Sequence, residues 1–168
     1  MTQKPDSTIP QKELYEEDFI SWNPKFNTGI PLIDEEHKKL VTLCNDFYKT
    51  LFPSQNGQAQ SDEDWHDILA KALNDCIDYA DSHFKDEEKL MRSAGFEGYA
   101  HHKAEHDAFR EQITEIMMSY NKASIAEGIK FAKFLYNWVL SHIAHEDKLY
   151  IPQLIQYLKE NSSENKKK

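Results

Sequence analysis

The chain has 168 residues, one domain's length, and 20 Lys+Arg against 29 Asp+Glu give it a formal charge of -9. That balance excludes nucleic acid and anionic membrane surfaces as main partners, because both demand basic protein surface. No apolar run approaches bilayer length, so no membrane insertion is expected. The N-terminal stretch MTQKPDSTIPQKELYEED lacks the apolar core and small-residue cleavage site of a secretory leader. Two cysteines, Cys44 and Cys76, are too few for a disulfide scaffold. A chain of this length buries roughly two-thirds of its unfolded surface, so a monomer is expected to be stable alone. A cytoplasmic, acidic single domain is the expectation.

Residues 1–18 are polar, carry Pro5 and Pro10, and read as a flexible arm. FISWNPKFNTGIPLID follows, an irregular segment in which Phe19, Trp22, Phe26 and Ile30 lie down on the core. Asp34 reads as an N-cap, and His37, Leu40, Val41, Cys44 and Tyr48 recur at helical spacing over about 35–52. PSQNGQAQ is a loop, and Ser61-x-x-Asp64 resembles a capping box opening a helix over about 62–92. Gly95 is its stop signal, and a third helix covers about 98–121. Ser124-x-x-Glu127 is a second capping box, opening a helix through Trp138, Val139 and Ile143. Pro152 is expected to kink or end it, leaving IPQLIQYLKE as one more short helix and 159–168 as a solvated tail. Only five Gly and six Pro interrupt the chain, which favours helices over short strands. The expected fold is all-α: an up-down-up-down four-helix bundle over 19–158 with an irregular N-terminal arm.

Eight histidines are the informative feature. His83-x3-Glu87 lies on the second helix, His102-x3-His106 on the third and His142-x4-Asp147 on the fourth, while the first contributes His37. Residues four apart stand one above the other on a helix, and a spacing of five can still converge near a helix end. Each of these positions shares the apolar stripe of its helix. An inward imidazole is costly unless paired or metal-bound, and one alone is usually a hydrogen-bonded core residue. Five imidazoles with two carboxylates, spread over four helices, point to a metal site. Two octahedral ions have twelve ligand positions, and these side chains, with two bridging carboxylates and a bridging oxide or hydroxide, leave one open. Imidazole with carboxylate suits iron, with manganese also compatible, whereas structural zinc would favour cysteine.

TGIPLIDEEHKKL (28–40), HFKDEEKLM (83–91), HHKAEHDAF (101–109) and WVLSHIAHEDKLY (138–150) together resemble the hemerythrin family, in its single-domain bacterial form. The resemblance spans about residues 18–155 and rests on four ordered motifs. It implies two non-haem iron ions, oxo- or hydroxo-bridged, and reversible binding of dioxygen for carriage, storage, delivery or sensing. It also implies that His102, His106 and His142 hold one iron, that His37 and His83 hold the other, and that Glu87 and Asp147 bridge them. Val139 takes the position, three before His142, that covers the open coordination place, where the family usually has Leu. His37 and His83 are 46 residues apart, longer than the family pattern, and the excess falls in the 53–61 loop. The competing reading is an enzyme, a di-iron oxidase, peroxidase or nitric-oxide-handling protein using the same centre, although no motif for an electron donor is evident. His101 competes with His102 for the ligand role, but only His102 stands four residues before His106; His66 is expected at the surface, His145 as a surface cation near a helix end or at a site entrance, and Cys44 and Cys76 as buried structural thiols.

Overall fold

The computed structural model describes residues 18–52, 62–118 and 124–164. Among them lie five α-helices, α1 (Pro31–Leu51), α2 (Asp62–Ser93), α3 (Tyr99–Met118), α4 (Ile125–Trp138) and α5 (Asp147–Glu164), with no strand. A short 3₁₀ turn (Pro24–Phe26) precedes α1, and a π-helical segment (Val139–Glu146) joins α4 to α5 without a loop. Ring and side-chain contacts fix the directions of the helices. His37 meets His83 where α1 meets α2, and Phe84 meets Phe109 where α2 meets α3. Phe109 meets Phe134, and Phe47 of α1 meets Phe131 of α4. Each neighbouring pair is antiparallel, so the expected up-down-up-down bundle is the observed one.

α1 begins earlier than the Asp34 signal suggested. Pro31 occupies its first turn, where a fixed φ suits the helix and the missing N–H costs nothing. Ile30 is the N-cap and makes no side-chain cap bond. Asp34 instead reaches back from inside the helix, accepting from Thr28 N (2.6 Å), Thr28 Oγ1 (2.8 Å) and Gly29 N (3.2 Å). The irregular segment is thereby tied to the start of α1. Farther back, Asn45 accepts from Ile20 N and donates to its carbonyl, at 2.8 and 3.0 Å, and Phe19 stacks on Tyr48.

The other end signals have mixed outcomes. Ser124 caps α4 by accepting from Glu127 N, as its pattern predicted. Ser61 and residues 119–123 lie outside the described residues. Pro152 neither ends nor breaks its helix, because α5 runs on to Glu164 with Pro152 exposed, where water can satisfy the carbonyl it leaves unpaired. The interruption falls earlier, at 139–146.

Two apolar clusters flank the centre. The larger fills the bundle with Leu40, Cys44, Leu73, Phe84, Phe109, Phe131, Leu135 and their neighbours. The smaller closes one end with Ile30, Ile33, Met91, Tyr150 and Leu154. Cys44 and Cys76 are free thiols inside the larger cluster. Burial pushes the Cys44 thiol up to about 12, which suits an inert packing residue. No helix among the described residues is long and apolar enough to cross a membrane.

The end of α2 gives a stability prediction. Gly95 sits at φ 66°, with Gly95 N donating to Arg92 O at 3.1 Å and Phe96 N to Met91 O at 2.9 Å. This is the Schellman closure, which requires a left-handed residue. A Cβ at Gly95 would meet nothing within 4 Å, so any cost of substitution is backbone strain alone. Gly95→Ala is expected to lower unfolding free energy by about 1–2 kcal/mol in urea titration, with an unchanged m-value.

Candidate metal centre

The structure brings all seven predicted side chains to one place between the two apolar clusters. His37 comes from α1, His83 and Glu87 from α2, His102 and His106 from α3, His142 from the π-helical segment, and Asp147 from the first position of α5. Each is at most 2% exposed. Their ligand-type atoms form two overlapping groups, Glu87 with His102, His106 and His142, and Glu87 with His37, His83 and Asp147. Within each group the atoms lie within 4.8 Å of one another.

The π-helical turns explain how a spacing of five delivers two inward groups. In an α-helix Asp147 would stand well round the cylinder from His142. Here Asp147 N–H donates to the His142 carbonyl, the i→i−5 bond of a widened turn, and the two side chains point the same way. His142 Nε2 and Asp147 Oδ1 are 3.2 Å apart.

Both carboxylates span the two groups. Glu87 Oε2 lies 3.5 Å from His83 Nε2, 3.5 Å from His102 Nε2 and 3.3 Å from His106 Nε2, while Oε1 is 3.8 Å from His37 Nε2. Asp147 places Oδ2 3.1 Å from His37 Nε2 and Oδ1 3.4 Å from His102 Nε2.

Four of the five rings are held from behind at Nδ1. His37 faces the Phe26 carbonyl (3.4 Å), His83 faces Glu36 (3.0 Å), His106 faces Glu88 (3.2 Å) and His142 faces Glu105 (2.7 Å). A carbonyl or an ionised carboxylate only accepts, so each of these Nδ1 atoms carries the proton. The Nε2 of a neutral ring is then a lone pair pointing at the centre. Aromatic plates support three rings: Phe84 under His106 at 3.9 Å, Trp138 under His142 at 4.0 Å and Tyr79 beside His83 at 4.9 Å. Arg110 lies over the Phe84 ring and reaches Glu88 at 3.5 Å, steadying the His106 arrangement from outside. Tyr150 O–H donates to Glu87 Oε1.

The centre therefore faces acceptors with acceptors. His37 Nε2, His83 Nε2, His102 Nε2, Glu87 Oε2 and both oxygens of Asp147 are buried without a hydrogen-bond partner. Buried polar atoms left so cost free energy unless a cation or proton lies between them. Metal–ligand bonds of about 2.1 Å set neighbouring octahedral ligands about 3.0 Å apart, close to the 3.1–3.5 Å spacings of most of these pairs. The donor set, imidazole with carboxylate, matches divalent and trivalent iron.

Glu36, Glu88, Glu105, Phe26 and Tyr150 take part without having been expected at the site from the sequence, where Phe26 reads only as a core residue. Glu36, Glu88 and Glu105 each adjoin a predicted ligand, which was the available signal, but acidic residues on helices ordinarily read as solvated. His101 and His145 are exposed and His66 is half-buried, and none of the three joins the seven-residue cluster.

Residues 28–154 match the family model described as the hemerythrin HHE cation binding domain. A bacteriohemerythrin of Pseudomonas paraeruginosa is 30% identical over 132 residues, covering 79% of each chain. One from Methylococcus capsulatus is 28% identical over 136 residues, covering 80% of this chain and 96% of the relative. A crystal structure of a hemerythrin point mutant superposes with a TM-score of 0.68 at 28% identity, covering 82% of this chain and 98% of that one. The matched segment holds every residue of the buried cluster, and the chain belongs to the hemerythrin family.

Proposed function

We propose that the chain binds dioxygen reversibly at a non-haem di-iron centre, as a carrier, store, delivery protein or sensing module. The observation that carries this reading is the set of buried, unpartnered acceptor atoms on His37, His83, His102, Glu87 and Asp147. Family membership and relatives named bacteriohemerythrin support it.

In this reading His102, His106 and His142 would hold one iron, His37 and His83 would hold the other, and Glu87 and Asp147 would be shared between them. Such a pair, when bound, supplies two electrons to dioxygen and recovers them on release. That unequal division of imidazoles would leave room for a small ligand on the His37/His83 side. Glu36, Glu88, Glu105 and the Phe26 carbonyl keep the Nδ1 protons of His83, His106, His142 and His37 outward, so these four rings offer Nε2 to a metal. Tyr150 fixes the Glu87 carboxylate and Val139, fully buried three residues before His142, supplies an apolar wall that excludes water. This apolar surround suits a small neutral ligand better than a polar substrate.

The deciding measurement is iron content together with optical spectra under air and under argon. Two irons per chain, with a band that appears in air and disappears in argon, are expected. Irreversible oxidation accompanied by turnover would replace carriage with an oxidase, peroxidase or nitric-oxide-handling activity. Glu87→Ala and Asp147→Ala should each lose at least one iron per chain by elemental analysis, while His66→Ala keeps both. Glu36→Ala should weaken iron retention roughly 10- to 100-fold in a chelator competition, because it removes the acceptor that orients His83. Val139→Leu should slow autoxidation in air, followed as decay of the oxygenated band, and an unchanged rate would remove Val139 from the ligand pocket.

A further inference from the structure

A third convergence of ligand-type atoms lies outside the buried cluster. His101 Nε2 is 3.7 Å from Glu105 Oε1 and 4.0 Å from Glu146 Oε2. The ligand atoms of these three residues fall within 4.8 Å of one another. The group meets solvent, with the His101 side chain 71% exposed and those of Glu105 and Glu146 31% and 29% exposed.

Its construction differs from that of a solvated acidic face. His101 and Glu105 are four residues apart on α3, so both side chains rise from one face of that helix. Glu146 comes from another element, the last residue of the π-helical segment, next to the Asp147 N–H that donates to the His142 carbonyl. Glu105 is held as well: its Oε2 accepts from His142 Nδ1 at 2.7 Å, which leaves Oε1 to face His101. Among the described residues, the ion pairs of Glu105 and Glu146 are all with histidines. Two carboxylates thus point at one spot with an imidazole as third neighbour and no lysine or arginine paired to either.

We propose that His101, Glu105 and Glu146 hold one divalent transition-metal cation at the surface, separate from the seven-residue cluster. One imidazole and two carboxylates suit zinc or ferrous ion, with water completing the coordination and allowing exchange. Glu105 then carries the cation on one oxygen and the His142 ring on the other, so an occupant of the outer site acts on the inner one through a single carboxylate.

Zinc binding counts the site directly. Native protein, His101→Ala and Glu146→Gln are stripped with chelator, titrated with Zn²⁺ by calorimetry, and assayed for retained zinc after gel filtration. Native protein is expected to bind one equivalent more than His101→Ala, and Glu146→Gln to lose that same equivalent. If the inner cluster takes two ions the counts are three and two, and if it takes none they are one and zero. The difference therefore reports the outer site whether or not the proposed di-iron centre forms. Equal counts in native protein and His101→Ala overturn the proposal. So does an equivalent lost in His101→Ala but retained at unchanged affinity in Glu146→Gln.

Discussion

Taking five imidazoles and two carboxylates out of water at the middle of a helix bundle requires that every N–H find an acceptor and every lone pair find something positive. Four of the imidazoles meet this requirement at Nδ1, where a carbonyl or carboxylate fixes the proton on the outside. Fixing it there creates the opposite problem inside, where bare nitrogens and carboxylate oxygens confront one another. The packing of the larger apolar cluster, the aromatic plates and the smaller cluster around Tyr150 all hold that confrontation in place. A cation resolves it at lower cost than charging the imidazoles one by one, since buried charges are costly and would repel each other.

The second constraint is periodic. Four helices can each present groups at i and i+4, but the last rod must supply His142 and then, at its first position beyond the segment, Asp147. A regular α-helix would turn one of them away. The π-helical turns absorb the extra residue, and Val139, His142 and Ile143 all stay buried while Leu140, Ser141 and His145 stay exposed. The widened stretch is thus where the geometry of the centre is set, and α5 continues past it to lay Tyr150 against Glu87.

Helix number, order and direction were legible because apolar stripes at helical spacing are long and few breakers interrupt them. The inward positions of the seven titratable residues were legible for the same reason, each lying on its stripe. Asp34 misled because a good capping residue stood three positions after a proline that starts helices equally well. Pro152 misled because its cost depends on which face it occupies, and a single sequence does not show the face so close to a change of period. The π-helical stretch left only an indirect trace, the odd spacing from His142 to Asp147. Glu36, Glu88 and Glu105 were hidden by their type: charged residues beside a stripe look solvated until the neighbouring helix is in place.

Those three glutamates follow one rule. Glu36 of α1 holds His83 of α2, Glu88 of α2 holds His106 of α3, and Glu105 of α3 holds His142 beyond α4. Each sits beside a ligand-type residue of its own helix, about 100° round the cylinder, and so looks sideways at the next rod rather than at the axis. Each of the first three helices thereby grips the next rod, and the angular setting of all four is geared together like meshed cogs. A small roll of any one rod would unseat a ring on the next, which makes the bundle's rotational alignment a property of the whole set.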